Sequence, residues 1–168
     1  MALSDAPTAR SEERNWLVRP LAIDDAPAAV ALIHAAFAVQ SVATDPPSAA
    51  LRETAATVAA AIAEGGGAGA FEDAGLVAVV LWTEKEGGLY LGRLAVRPDR
   101  RGRGLARRLM AAAEAEARRR RLPRLHLSTR LVLLDNRRLF AACGYREIEL
   151  RCHDGYTVPT SVVMEKQL

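Results

Sequence analysis

The chain has 168 residues, half of them hydrophobic and 26% charged, with a formal net charge of +3. That length and balance fit one globular domain with a proper core and exclude an intrinsically disordered chain. No apolar run approaches the roughly 18 residues that a membrane-spanning helix needs, and the polar first fourteen residues, MALSDAPTARSEER, are expected to be a flexible segment rather than a leader or anchor, with a single domain over 15–168.

A short strand is expected at 16–19, followed by a helix start in AIDDAP, where Asp24 or Asp25 can cap and Pro27 falls in the first turn. Val30, Ile33 and Phe37 recur at helical spacing and predict one apolar face. His34 lies beside that face with no second ligand candidate nearby, so it reads as a structural or surface histidine. A second helix is expected over 48–64, with Leu51, Val58 and Ile62 as its larger apolar residues, closed by the glycines of 65–69 through a left-handed turn. Strands follow at 70–72, 76–83 and 89–96, the last two joined across EKEGG, and Pro98 stops the third. A helix over 103–121 pairs Glu114 with Arg118 and Glu116 with Arg120 at i,i+4 spacing. A strand at 125–129, a short helix at 136–142 and strands at 145–150 and 161–166 complete the chain. The order predicts an α/β fold with a mixed sheet of about seven strands and about four helices. Three successive strands make its antiparallel portion, and the later strand–helix–strand unit makes a parallel crossover.

The two cysteines, Cys143 and Cys152, lie in no metal-ligand spacing, and no metal site is expected. Two thiols in a domain of this size fit a reduced cytoplasm better than a disulfide scaffold, and Cys143 among apolar neighbours reads as packing. All but two of the 23 basic residues are arginine. The planar guanidinium suits phosphate, although a compositional habit of the whole genome would give the same excess.

The stretch RPDRRGRGLARRLM (97–110) places two glycines and six arginines between a strand and the start of a long helix. A helix N-terminus presents unpaired N–H groups and the positive end of the macrodipole, which attract phosphate. Glycines at 102 and 104 let the backbone approach such a ligand without Cβ clashes. The bland alternative is a solvated basic loop. The stretch is no Walker loop, lacking GKS or GKT, and no dinucleotide fingerprint, because Arg107 stands where the third glycine of G-x-G-x-x-G belongs.

These residues resemble the acetyl-CoA-binding segment of the GNAT superfamily N-acetyltransferases, whose signature Q/R-x-x-G-x-G/A is matched by Arg101, Gly104 and Ala106. The preceding LAV-x-P resembles the family's pantetheine-binding strand. A second stretch, DNRRLFAACGYRE (135–147), resembles the later N-x-x-x-(Y/F)-x-x-x-G-(Y/F) element. With the element order, the resemblance covers nearly the whole chain after residue 15. It implies acetyl-CoA as co-substrate, with main-chain groups of Leu94, Ala95 and Val96 pairing with the pantetheine arm. Backbone N–H groups of Gly102, Arg103, Gly104, Leu105, Ala106 and Arg107 would hold the pyrophosphate, Arg101 would shape the loop, and Asn136 would bond the pantetheine or acetyl end. It also implies that the strands carrying Leu94 and Leu125 splay apart, and that a deprotonated amine attacks the thioester carbonyl beside a main-chain N–H near Leu94.

The chain departs from the family pattern at Phe140, where many members place a tyrosine that protonates the leaving thiolate. A phenyl ring cannot donate. A thiol, with an ordinary pKa of about 8.5, is a tolerable leaving group that solvent can protonate. Tyr90, Glu84 and His126 are conceivable proton relays, no residue is assigned a catalytic role, and Tyr145 reads as a core aromatic. Arg52, Glu53 and Arg93 are acceptor-contact candidates, the first two equally readable as a solvated helix face. Arg93, a charge in an apolar strand, calls for a partner or a cleft.

The leading expectation is a cytoplasmic acetyltransferase acting on an amine of a small molecule or protein, with a homodimer left open. A non-catalytic acyl-CoA-binding sensor, admitted by Phe140, is the alternative. Nucleic-acid binding through RRGRGLARR and the four arginines of 118–121 is disfavoured, because interleaved Ala, Leu and Met suggest a packed amphipathic helix with no aromatic platform beside it.

Overall fold

The computed structural model describes residues 15–168; the expected flexible segment 1–14 lies outside the described residues. Strand β1 (Leu17–Pro20) leads through a 3-10 turn into helix α1 (Ala26–Ala38), and helix α2 (Ala55–Glu64) follows. Strands β2 (Gly67–Glu72), β3 (Gly75–Lys85) and β4 (Gly88–Val96) form an antiparallel run. Helix α3 (Leu105–Arg119) crosses over to strand β5 (Arg124–Arg130), helix α4 (Leu134–Ala142) comes next, and strands β6 (Arg146–Arg151) and β7 (Ser161–Gln167) end the chain. The seven strands form one sheet in the order β1-β2-β3-β4-β5-β7-β6, with β4 and β5 parallel.

The expected second helix over 48–64 is two pieces. A 3-10 turn at Ala49–Arg52 breaks off before α2, because Thr54 takes extended backbone and caps α2 instead, its hydroxyl accepting from the Thr57 N–H. Its termination differs from the expectation too. Gly65 itself is not left-handed, and the positive φ falls on Gly66, at 118°. Gly65 is required for close approach, since a Cβ there would come within 2.1 Å of the Trp82 carbonyl oxygen. Gly67 and Gly69 belong to β2 rather than to the turn.

Period-two alternation along β3 divides the core. Ala78, Val80 and Trp82 face α3, whose Leu105, Leu109, Met110, Ala113 and Ala117 are buried against them. Val79 and Leu81 face α1 and α2, meeting Ile33 and Val58, both fully buried. Each fully buried Leu, Ile or Val contributes about 1.5–3 kcal/mol, so the sheet is clamped from both sides along β3. Two features at its centre make the site. The β3–β4 register shifts where Val80 faces both Arg93 and Leu94, a bulge that puts Arg93 at φ 54°. And β4 pairs with β5 only from Leu89 to Leu91. Beyond Leu91 the two strands part, as expected, leaving the β5-facing side of 92–96 without a strand partner.

Candidate active site

The parting of β4 and β5 opens two adjoining cavities that share Phe37, Gln40, Leu94, Leu133 and Asn136. The first, about 670 Å³, is lined by Leu94, Ala95 and Val96, by Arg100 to Gly102, by Gly104 to Arg107, and by Asp135, Asn136 and Leu139. The second, about 220 Å³, reaches into the sheet between Tyr90–Leu94 on one strand and Leu127–Arg130 on the other, with Phe140, His153 and Ser161 around it.

Physical reasons for the first cavity lie in its loop. Gly102 and Gly104 have φ of 73° and 82°, and a Cβ on either would project into open space rather than into protein. Gly104 is the N-cap of α3, so the N–H groups of the helix's first turn lack intrahelical partners. The loop is anchored rather than loose. Arg101 donates from Nη2 to the Ala36 carbonyl at 2.9 Å and from Nη1 to the Val39 carbonyl at 3.3 Å, using the negative end of α1. Arg100 pairs with Glu72 at 2.7 Å, and Arg97 with Asp99. Three of the six arginines therefore hold the loop's shape through protein contacts. A cavity floored by free helical N–H groups, flanked by Arg107 and open where side chains would stand, fits a pyrophosphate-bearing ligand.

Of the residues expected at the site, Leu94, Ala95, Val96, Arg101, Gly102, Gly104, Leu105, Ala106, Arg107 and Asn136 all line the first cavity. Phe140 lines the second, buried and tilted against Tyr145 at 6.2 Å. Arg103 lines neither and is exposed. Tyr145 is a core residue, as expected, and burial pushes its phenol well up. Among the conceivable relays only Tyr90 lines a cavity, its hydroxyl pushed up by burial. His126 is buried edge-on to Tyr90 at 5.3 Å and donates from Nε2 to the Lys85 carbonyl, so its ring serves the hairpin. Glu84 is exposed and lies 4.0 Å from Arg120, away from both cavities. His34 is structural, donating from Nε2 to the Glu53 carbonyl.

Arg93 has both a partner and a cleft. Its Nε donates to Glu53 Oε1 at 2.8 Å while the residue lines the second cavity. Burial pushes the Glu53 carboxyl up, but the Thr57 hydroxyl and the Arg93 guanidinium outweigh it and hold the group below the ordinary carboxylate range. Glu53 is thus committed to structure, and Arg52 lines neither cavity. Sequence reasoning missed Gln40, Ser128, Arg130, His153 and Ser161, which line the second cavity. They come from the end of α1, from β5, from the start of β7 and from the 152–160 loop, and no motif links them.

The fold is that of N-acetyltransferases. Similar solved structures include the PaiA N-acetyltransferase of Thermoplasma acidophilum in complex with coenzyme A (16% identity, 92% of this chain and 99% of that one, TM-score 0.75). The ribosomal-protein-S18-alanine N-acetyltransferase of Escherichia coli is similar too (20% identity, 91% and 94%, TM-score 0.74). A Bacillus anthracis chain described as a streptothricin acetyltransferase, solved with acetyl coenzyme A, overlaps more partially (15% identity, 61% and 62%, TM-score 0.57). No curated protein matches the sequence. The model of the acetyltransferase (GNAT) family matches residues 38–145, and the chain belongs to that family. Acetyl-CoA is the co-substrate typical of it.

Proposed function

We propose that this protein transfers an acetyl group from acetyl-CoA to a primary amine of a small molecule or protein. The observation that carries the reading is the meeting of the two cavities at Leu94 and Asn136, one suited to a pyrophosphate-bearing ligand and the other to an acceptor. In this reading the N–H groups of α3's first turn hold the pyrophosphate, and the unpaired edge of Leu94, Ala95 and Val96 pairs with the pantetheine arm as an added strand would. Arg101 fixes the loop through α1, and Asn136, exposed at the junction, bonds the arm from the opposite side.

Bound acetyl-CoA supplies an activated acyl carbon: the N–C bond forms, the C–S bond breaks, the amine proton passes to solvent, and the thiol departs after taking a proton from water. The chain contributes proximity, aligning the acceptor amine in the second cavity with the end of the first. It also contributes a main-chain N–H at the Leu94 bulge toward the carbonyl oxygen. Phe140 gives packing and no proton, which keeps a non-catalytic acyl-CoA sensor as the second reading.

The test is a panel of amines with acetyl-CoA, reading thiol release, alongside calorimetry of acetyl-CoA. Binding with amine-dependent thiol release is the expected result. Binding without release from any amine favours the sensor, and no binding overturns both readings. A cytoplasmic location belongs to the same proposal; among the described residues no helix is long and apolar enough to cross a membrane.

A further inference from the structure

The second cavity has a one-sided charge. Arg93, Arg130 and His153 line it, and no aspartate or glutamate does. Arg93 is already matched by Glu53. Arg130 is not matched: among the described residues no carboxylate oxygen lies within 4.0 Å of its guanidinium, whose one hydrogen bond is a long one, 3.4 Å, from Nη2 to the Pro47 carbonyl. Asp45, the carboxylate whose charge acts on Arg130, is occupied, accepting from the Tyr156 hydroxyl at 2.6 Å. Arg130 is half-buried, and burial holds its guanidinium below its ordinary value despite Tyr156 and Asp45. His153 is held in place by Thr160, at 2.5 Å from Nδ1 to Oγ1, and burial and the neighbouring Arg130 both push its pKa down. A half-buried cation with spare donors in a fork geometry matches a carboxylate better than any other common group. A second cation placed there would meet repulsion with no acidic wall to offset it.

We infer that the acceptor carries a carboxylate as well as its amine, and that Arg130 is the residue that binds that carboxylate. This rests on the acetyl-transfer reading above and names its substrate class: small amino-carboxylates rather than polyamines or other polycations. The rest of the lining agrees with a modest acceptor, since Tyr90, Leu91, Leu127 and Phe140 offer apolar walls around a cavity of about 220 Å³.

Matched pairs test it: methionine, phenylalanine, glutamate and 4-aminobutyrate, each against its amide, with spermidine as the polycation. With wild type, kcat/KM for the best carboxylate should exceed that of its amide at least tenfold, and spermidine should be poorest. Arg130→Gln should bring the ratio close to one, and Arg130→Lys should restore part of it, with acetyl-CoA affinity unchanged in both. Amides or spermidine matching the acids in wild type, or a ratio that survives Arg130→Gln, would overturn the inference while leaving acetyl transfer standing. If no amine is turned over, the same pairs are titrated into the coenzyme A-bound protein. Carboxylate-selective binding lost in Arg130→Gln still supports the site, and absent or unselective binding overturns it.

Discussion

Replacing Gly104 by glutamate separates the cradle from the fold that carries it. At φ 82° any L residue costs about 1–2 kcal/mol of backbone strain. A new Cβ meets nothing within 4 Å, so no steric term is added. A carboxylate at the N-terminus of α3 returns about 0.3–1 kcal/mol through the helix dipole. The net cost to folding is therefore about 1 kcal/mol, a fall in Tm of about 2–4 °C for a chain of this size. Ligand binding should suffer more. Like unit charges 4 Å apart repel by about 4 kcal/mol at an effective dielectric near 20, and solvent at this exposed loop screens part of it. A loss of at least about 1.4 kcal/mol, or tenfold in acetyl-CoA affinity, is expected. Gly104→Ala, which brings the strain without the charge, should lose clearly less. Calorimetry gives the affinities and thermal melting reports the fold. A melting Gly104→Glu variant with wild-type affinity would refute the placement of the pyrophosphate on this helix end.

Phe140→Tyr should leave thiol release nearly unchanged or raise it modestly across pH 6 to 9, because a tyrosine is what the family pattern places at this position; a large loss would contradict the proposed placement of Phe140 beside the leaving sulfur. Changing Arg118, Arg119, Arg120 and Arg121 together to glutamine should not alter duplex DNA retention in a gel shift, since the first three already pair with Glu114 and Glu116; tight wild-type binding lost in the variant would prove otherwise. The guanidinium of Arg119, with that of Arg120, holds the Glu116 carboxyl down to about 2. Because the folded-state value is depressed, its stabilisation is full above the ordinary carboxylate range and fades as pH falls toward 2. Glu116→Gln should accordingly lower stability by about 1 kcal/mol at pH 7 and by almost nothing at pH 2, read from denaturant melts; an equal loss at both values would exclude the ion pairs as the cause.

Much of the architecture was legible because local chemistry declared it. Pro98 ends β4, the i,i+4 pairs of α3 form as their spacing requires, and two glycines of positive φ lead into the α3 N-terminus. Helix boundaries were less legible where a side chain competed with the backbone, as Thr54 does by capping α2 and cutting the expected helix in two.

What the linear chain determined, then, were the elements, their order and the glycine-rich turn at the head of α3, all of which depend on neighbours a few residues apart. Tertiary structure alone decided the insertion of β7 between β5 and β6, the bulge that turns Arg93 toward Glu53, forty positions away, and the wall of the second cavity. That wall joins Gln40 from the end of α1, Arg130 from β5 and His153 from a motif-free loop. No periodicity links such residues, because their proximity follows from how strands pair and part across the sheet, a long-range choice made by burying the whole core at once.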